Sequence, residues 1–292
     1  MNTTAQTTDV YQIITNRIIQ QLEKEVIPWR KPWAAGGHPQ NLFTKRYYTG
    51  INTWLLGSLG YAQNYFLTWK QIKAVGASVI KGEQAAMVLF YKPSEGQGES
   101  ILRYYWVYNV EQVEHLPEIL TIPYPPDTVN QLSACDEIIE RMPNCPTIKH
   151  GKQAAFYDAV KDYINMPKQG SFGSIESYYS VLFHELIHST GHPSRLNRKE
   201  IAEPNAFASD SYSIEELTAE IGACYLNSIA GIINKEFDNS ARYIKGWIDV
   251  LKDNTRMIVY ASGQAQRATD YILQVQSYWS KVAMQELTVE AQ

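Results

Sequence analysis

Cysteine is scarce in this sequence of 292 residues, and long apolar runs are lacking. Its three cysteines form no Cys-x-x-Cys pair, which argues against a disulfide framework or a thiolate metal site. No stretch approaches the roughly 18 to 20 apolar residues that a membrane helix needs. The polar residues 1–8 show neither the basic start nor the apolar core of a secretory signal. These absences predict a cytoplasmic protein with free thiols and no membrane partner.

Positive charge and aromatic residues concentrate in one part of the chain. Residues 26–110 contain nine Lys or Arg against three Asp or Glu, although the whole chain has a net charge of −4. The same stretch holds sixteen of the 35 aromatic residues. A basic, aromatic-rich half before an acidic half predicts two domains with different partners, over 1–120 and 128–292. The proline-rich segment 117–127 is the expected linker.

Hydrophobic periodicity predicts an α+β fold. We expect an α+β first domain, in which helices over 9–26 and 54–59 precede strands over 87–91 and 102–110. The second domain is expected to be mainly α. Its predicted helices cover residues 133–142, 174–189, 213–229, 237–254 and 258–283.

A His-Glu-x-x-His motif, His184-Glu185-Leu186-Ile187-His188, lies in one of these predicted helices. Positions i and i+4 lie on one helix face, so both imidazoles can bind the same divalent ion, Zn²⁺ or another such as Mn²⁺. Glu185, beside the first histidine, can act as a general base toward water. The motif predicts a metal site with the chemistry of a zinc peptidase.

The third metal ligand must come from outside the motif. The longer metzincin motif needs a histidine at position 194, where this chain has Ser194. His192 lies just past the predicted helix end, so it is expected in the loop or beside a ligand. Downstream, Glu216 and Glu220 share one helical face, as in gluzincins. We predict Glu216 as the ligand and Glu220 as the hydrogen-bond partner of a ligand imidazole.

Two further interpretations of this downstream segment stay open. Ser213 and Glu216 also have the spacing of a capping box, which would explain Glu216 without any metal. Glu215 is expected to point away from the ligand face.

The basic, aromatic half suits single-stranded DNA, which is bound by rings that stack on bases and cations that approach phosphates. Alternatively, the rings form the core of a small domain and the cations its solvated surface. The candidate DNA-binding residues are Trp29, Arg30, Lys31, Trp33, Lys45, Arg46, Tyr48, Asn52, Lys70, Lys73 and Lys81.

Several of these segments together resemble the ArdC family of antirestriction proteins, found on conjugative plasmids and in phages. The chain departs from the family at Ile80, where members often have a basic residue. The segments that carry the resemblance are Pro28–Trp33, Tyr48–Asn52, Trp69–Gln71, Gly76–Glu83, Phe183–His192 and Glu215–Ile221.

The resemblance implies an N-terminal domain that binds single-stranded DNA and a zincin-like metallopeptidase domain after it. It also implies that the protein protects incoming plasmid DNA from host restriction during conjugation, in the bacterial cytoplasm. The alternative function is a cytoplasmic zinc metallopeptidase whose N-terminal domain recruits a protein or DNA-bound substrate. A protein of the host restriction machinery is a possible substrate.

Overall fold

The computed structural model describes residues 9–30, 38–92, 101–117, 131–202, 210–232 and 241–275. Helices dominate, and the strands form three small sheets. The predicted α+β class is confirmed. The predicted linker 117–127 lies outside the described residues except for its first position. Within the ranges described, no helix is both long and apolar enough to cross a membrane.

The first part of the chain builds a four-stranded sheet in the order β1-β2-β5-β4, with β1 and β2 parallel and the other pairs antiparallel. A separate antiparallel pair joins β3 and β6. The elements are α1 (Val10–Leu22), β1 (Gln40–Asn41), α2 (Ile51–Gly57), β2 (Tyr65–Thr68), α3 (Trp69–Ala74), β3 (Ser78–Val79), β4 (Ala86–Lys92), β5 (Ile101–Asn109) and β6 (Val113–Glu114).

The second part is mainly helical, as predicted, and adds a three-stranded sheet in the order β7-β9-β8. Strand β9 pairs in parallel with β7 and antiparallel with β8. The elements are α4 (Gln131–Arg141), β7 (Thr147–Lys149), β8 (Phe156–Asp158), β9 (Tyr163–Asn165), α5 (Ile175–Thr190), α6 (Lys199–Ala202), α7 (Asp210–Ile229), α8 (Ala241–Asp253) and α9 (Met257–Leu273).

One buried cluster contains residues from both parts of the chain. Trp29 and Trp54, both fully buried, pack with Tyr225 of α7 and Trp247 of α8. The Trp54 indole donates a hydrogen bond to Ser262 Oγ in α9 at 3.1 Å. The N-terminal part therefore shares a hydrophobic core with α7, α8 and α9, and that core removes several large rings from water.

Helix α7 lies close against α5 because Gly222 faces Ile187. A Cβ atom added at Gly222 would lie 2.7 Å from Ile187 Cδ1 and 2.8 Å from Cγ1. Both distances are shorter than van der Waals contact, so only glycine fits at this crossing. The sequence thus fixes how near the glutamates of α7 come to the histidines of α5.

We expect Gly222→Ala to destabilise the protein by about 1–3 kcal/mol, because overpacking forces α5 and α7 apart or Ile187 out of its rotamer. Gly246→Ala in α8 is the matched control, since nothing lies within 4 Å of its added Cβ. That control should stabilise the protein by about 0.5–1 kcal/mol through the higher helix propensity of alanine. Urea unfolding measures both; equal effects of the two changes would contradict the close packing.

Candidate metal centre and nucleic-acid surface

The two histidines of the motif face one another from successive turns of α5. The helix begins after Ser174, whose hydroxyl accepts a hydrogen bond from the backbone N–H of Ser177. His184 Nε2 and His188 Nε2 lie 3.0 Å apart. Because the i, i+4 spacing places both nitrogens on the same side, they can bind one ion together.

Glu216 of α7 completes this cluster. Its two carboxylate oxygens lie 3.6 Å from His184 Nε2 and 3.6 Å from His188 Nε2. The three donor atoms all fall within 4.8 Å of one another. Ser213 lies inside α7, which already includes Asp210, so a capping box at Ser213 does not explain Glu216. The structure thus brings His184, His188 and Glu216 together.

Glu215 holds the other side of the His188 ring. His188 Nδ1 lies 3.0 Å from Glu215 Oε1, and Arg198 donates to the same carboxylate from Nη2 at 2.6 Å and from Nε at 2.9 Å. A Nδ1–H group that donates to Glu215 leaves the Nε2 lone pair of His188 facing Glu216. All three groups are buried. Glu215 therefore fixes the tautomer that a metal ligand needs.

Arg198 also contacts the end of helix α5. Its guanidinium donates to the carbonyl of Ile187 at 2.8 Å, and the hydroxyl of Thr190 donates to the same carbonyl at 2.6 Å. Gly191, at the C-terminus of α5, leaves room for this contact, because an added Cβ would lie 3.0 Å from Arg198 Nη2. One buried arginine thus fixes the end of the motif helix and the glutamate that supports His188.

The electrostatics of the cluster favour positive charge. Burial opposes the protonation of His188, but the hydrogen bond and the charge of Glu215 outweigh it and raise the His188 pKa. Burial also opposes the ionisation of Glu216, yet a hydrogen bond from His184, the charge of both histidines and a hydrogen bond from Tyr212 keep its pKa below the usual value. A field that holds a proton on an imidazole beside an ionised carboxylate also attracts a cation.

The residues present fit a divalent ion. Two imidazole nitrogens and one carboxylate are a ligand set that zinc enzymes use, with a further coordination position open to substrate or water. Glu185 follows His184 directly and is 8% exposed, and its charge contributes to the raised pKa of His188.

The prediction for Glu220 is wrong. Its carboxylate accepts hydrogen bonds from Trp29 Nε1 at 3.0 Å and from the hydroxyl of Tyr243, and it pairs with Arg30 Nη2 at 3.2 Å. Glu220 lies one helical turn beyond Glu216, and this carries it past the histidines to the N-terminal part. Glu215, which we expected to point elsewhere, occupies the position beside the imidazole.

His192 does not support a ligand either. Its Nδ1 atom lies 2.8 Å from Ser194 Oγ and accepts from the Ser194 backbone N–H at 3.2 Å. Helix α5 ends at Thr190, so His192 lies in the loop that follows. Its ring forms hydrogen bonds with a residue of that loop.

Four of the eleven candidate DNA-binding residues are used inside the fold. Trp29 is fully buried, Arg30 pairs with Glu220, and Tyr48 packs in a core cluster beside Phe66. Asn52 exchanges two hydrogen bonds with the backbone of Leu89 in β4, at 2.8 and 2.7 Å. These four residues therefore have structural roles that composition did not reveal, and their contact with DNA stays a prediction.

The remaining candidates divide into two groups. Lys31 and Trp33 lie outside the described residues. Five cations are exposed: Lys45, Arg46, Lys70, Lys73 and Lys81. Lys45 lies over the Tyr65 ring and Lys73 over the Trp69 ring, and all five cations are open to a phosphate backbone.

Comparison with known proteins places both halves of the chain. Residues 8–120 match a family model described as the N-terminal domain of anti-restriction factor ArdC, and residues 134–264 match one described as a zincin-like metallopeptidase. The Mn(II)-bound crystal structure of the antirestriction protein ArdC from plasmid R388 superposes with a TM-score of 0.73 at 34% identity, covering 91% of this chain and 97% of that one. The chain belongs to the ArdC antirestriction family.

The metal-free structure of R388 ArdC matches with a TM-score of 0.70 at 33% identity and covers 92% of this chain and all of that one. The protein y4eC of Sinorhizobium fredii is 28% identical over 92% of this chain and 93% of its own length. Two DNA primases TraC of Escherichia coli are 32% and 33% identical over 90% of this chain, which spans 27% and 20% of their lengths.

Metal titration tests the assignment of the two glutamates of α7. We expect Glu216→Ala to weaken Zn²⁺ and Mn²⁺ binding far more than Glu220→Ala, because only Glu216 faces the imidazoles. Glu220→Ala should instead lower thermal stability, since it removes the acceptor of the Trp29 N–H and the carboxylate that pairs with Arg30. Calorimetric titration of each variant measures affinity; a folded Glu220→Ala protein with the weaker metal binding would contradict the assignment.

Glu215 is expected to matter for both metal binding and stability. Glu215→Gln should lower metal affinity by about 10–100-fold, because it weakens the partner that orients His188. The same change leaves the Arg198 charge buried and uncompensated, at a cost of about 3–5 kcal/mol.

The matched control for Glu215 is Glu137→Gln, which removes a carboxylate from an exposed pair with Arg141. Exposed pairs contribute little, so this control should change neither the metal affinity nor the urea midpoint. Full metal affinity in the Glu215 variant would show that His188 is held by other contacts.

Proposed function

We propose that this ArdC-family protein protects incoming DNA from host restriction in the bacterial cytoplasm, by binding single-stranded DNA and a divalent metal. The convergence of His184, His188 and Glu216, with Glu215 behind His188, carries the metal part of the proposal. Membership of an antirestriction family carries the biological part. The metal is Zn²⁺ or Mn²⁺, and Mn(II) is the ion bound in the R388 relative.

The chain's own residues suit hydrolysis of a peptide bond. A bound ion would supply Lewis-acid activation of water and of a substrate carbonyl. Glu185 accepts the proton of the attacking water and passes it to the leaving amine. Glu215 and Arg198 keep His188 in the orientation that metal binding needs. Glu216 supplies the third ligand from α7.

The DNA partner is supported by charge. The exposed Lys45, Arg46, Lys70, Lys73 and Lys81 belong to the half with a positive balance, and cations of this kind bind phosphates without base specificity. Two relatives that match along this chain are named DNA primases, which also favours a DNA partner. Affinity for an oligothymidine should therefore fall as salt rises. Duplex should compete poorly if exposed rings also stack on the bases, because paired bases hide their faces.

Glu185→Gln separates protection from peptide hydrolysis. The change keeps the ligands of the metal and removes the general base, so we expect unchanged metal stoichiometry and DNA affinity but loss of any peptidase activity. The experiment transfers unmodified plasmid DNA into a restricting host that expresses the wild type, Glu185→Gln or His188→Ala. The measured quantity is the number of recipients that keep the plasmid.

The outcomes distinguish the two functions. Protection that survives Glu185→Gln identifies a protein that acts by binding DNA. Protection lost with Glu185→Gln supports the second candidate, a metallopeptidase that acts on a protein of the restriction machinery. No protection by the wild type, at normal expression, would overturn the antirestriction role.

A further inference from the structure

An open cleft in the N-terminal half is lined by aromatic rings from two elements. Alternation along β5 places Tyr104, Trp106 and Tyr108 on one face of the sheet, and Trp69 approaches from the start of α3. The Tyr104 and Trp106 rings are 5.9 Å apart, and the Trp69 and Tyr108 rings are 6.1 Å apart. The cavity measures about 700 Å³, within the roughly 300–1,000 Å³ of small-ligand sites.

Trp69, Tyr104 and Trp106 are not part of the hydrophobic core, whereas Tyr108 packs against it. Trp69 is 49% exposed and Trp106 43% exposed, whereas Trp54 is fully buried. The neighbour of Trp106 on the opposite face, Val107, is fully buried as well. On the face that carries Trp106 and Tyr104, the paired residues Met87 and Leu89 of β4 are buried in the shared core. The exposed rings therefore lie at the border of that core. A row of exposed rings is typical of a binding surface.

Two cations border the same rings. The Arg17 guanidinium of α1 lies 5.4 Å from the Trp106 ring, and Lys73 Nζ lies 4.9 Å from the Trp69 ring. Neither cation forms an ion pair with a carboxylate of the described residues, and none of the described residues that line the cleft is acidic. The uncompensated charge favours an anionic ligand with flat apolar groups.

We infer that this cleft binds single-stranded nucleic acid, with bases stacked on Trp106 and Trp69 and phosphates beside Arg17 and Lys73. Aromatic faces accept any base, and cations follow the backbone. The inference rests on the proposed DNA-binding function and gives it a location. Of these four residues, only Lys73 was among the candidates from the sequence.

Fluorescence anisotropy of a labelled oligothymidine with the full chain tests the cleft. Trp106→Ala and Trp69→Ala should each lower affinity by roughly five- to 150-fold, the usual loss for one stacked base. Trp106→Phe keeps a stacking ring and should therefore retain most of the wild-type affinity. Tyr47→Ala is the control, because Tyr47 is 62% exposed but lies outside the cleft.

An abasic oligonucleotide of equal length separates stacking from charge. The Trp variants should match the wild type on it, because no base is present to stack. Arg17→Gln should weaken both oligonucleotides and reduce the salt slope by about one.

Each outcome decides the inference. If the wild type binds and both folded Trp→Ala variants bind equally well, the cleft is not the site although DNA binding stands. If the wild type does not bind at all, both proposals fall. Unfolding of the Trp→Ala variants would show that the rings are core. Tighter binding of a proline-rich peptide than of the oligonucleotide would assign the cleft to a protein partner.

Discussion

The packing of α7 against α5 is the constraint on which the metal cluster depends. Gly222 permits the close approach to Ile187, and the buried pair of Glu215 and Arg198 fixes the direction in which the helices meet. The carboxylate of Glu216 reaches two histidines at 3.6 Å only because the helix axes are this close. A buried pair needs full hydrogen bonding to offset its desolvation, and Arg198 obtains it from Glu215 and from the end of α5. Packing and electrostatics therefore select the same arrangement.

Successive turns of α7 serve different neighbours. Glu215 and Glu216 face α5, whereas Glu220, one turn later, meets Arg30 and Trp29 from the start of the chain. On the same helix, Tyr225 packs in the core that both halves share. Removal of residues 1–120 would therefore expose apolar surface on α7 and leave Glu220 without Trp29 and Arg30. Point variants of the whole chain, rather than truncations, are the sound way to separate metal binding from DNA binding.

Those parts of the fold that depend on a local sequence pattern could be predicted from the sequence. The motif helix, the strands β4 and β5, and the candidate ligand Glu216 all follow from spacing within a short window. The contact of Trp29 with Glu220 joins residues far apart in the chain, which no local pattern reveals. Strands β7, β8 and β9 have three residues each, too few for alternation to be recognised. Glu215 could have been found, because the Nδ1 atom of a ligand histidine points away from the metal and needs an acceptor off the ligand face.

The high aromatic content supports DNA binding only in part, because many of the aromatic side chains are buried in the core. A shared core between a small sheet and three helices needs large side chains, and Trp29, Trp54 and Phe66 supply them at full burial. A single exposed ring beyond that need is common. Trp69 and Trp106 differ because they line one cleft and a cation lies over each ring. DNA binding is therefore better predicted from the number of exposed rings that lie next to cations. That number depends on strand alternation and tertiary packing rather than on composition.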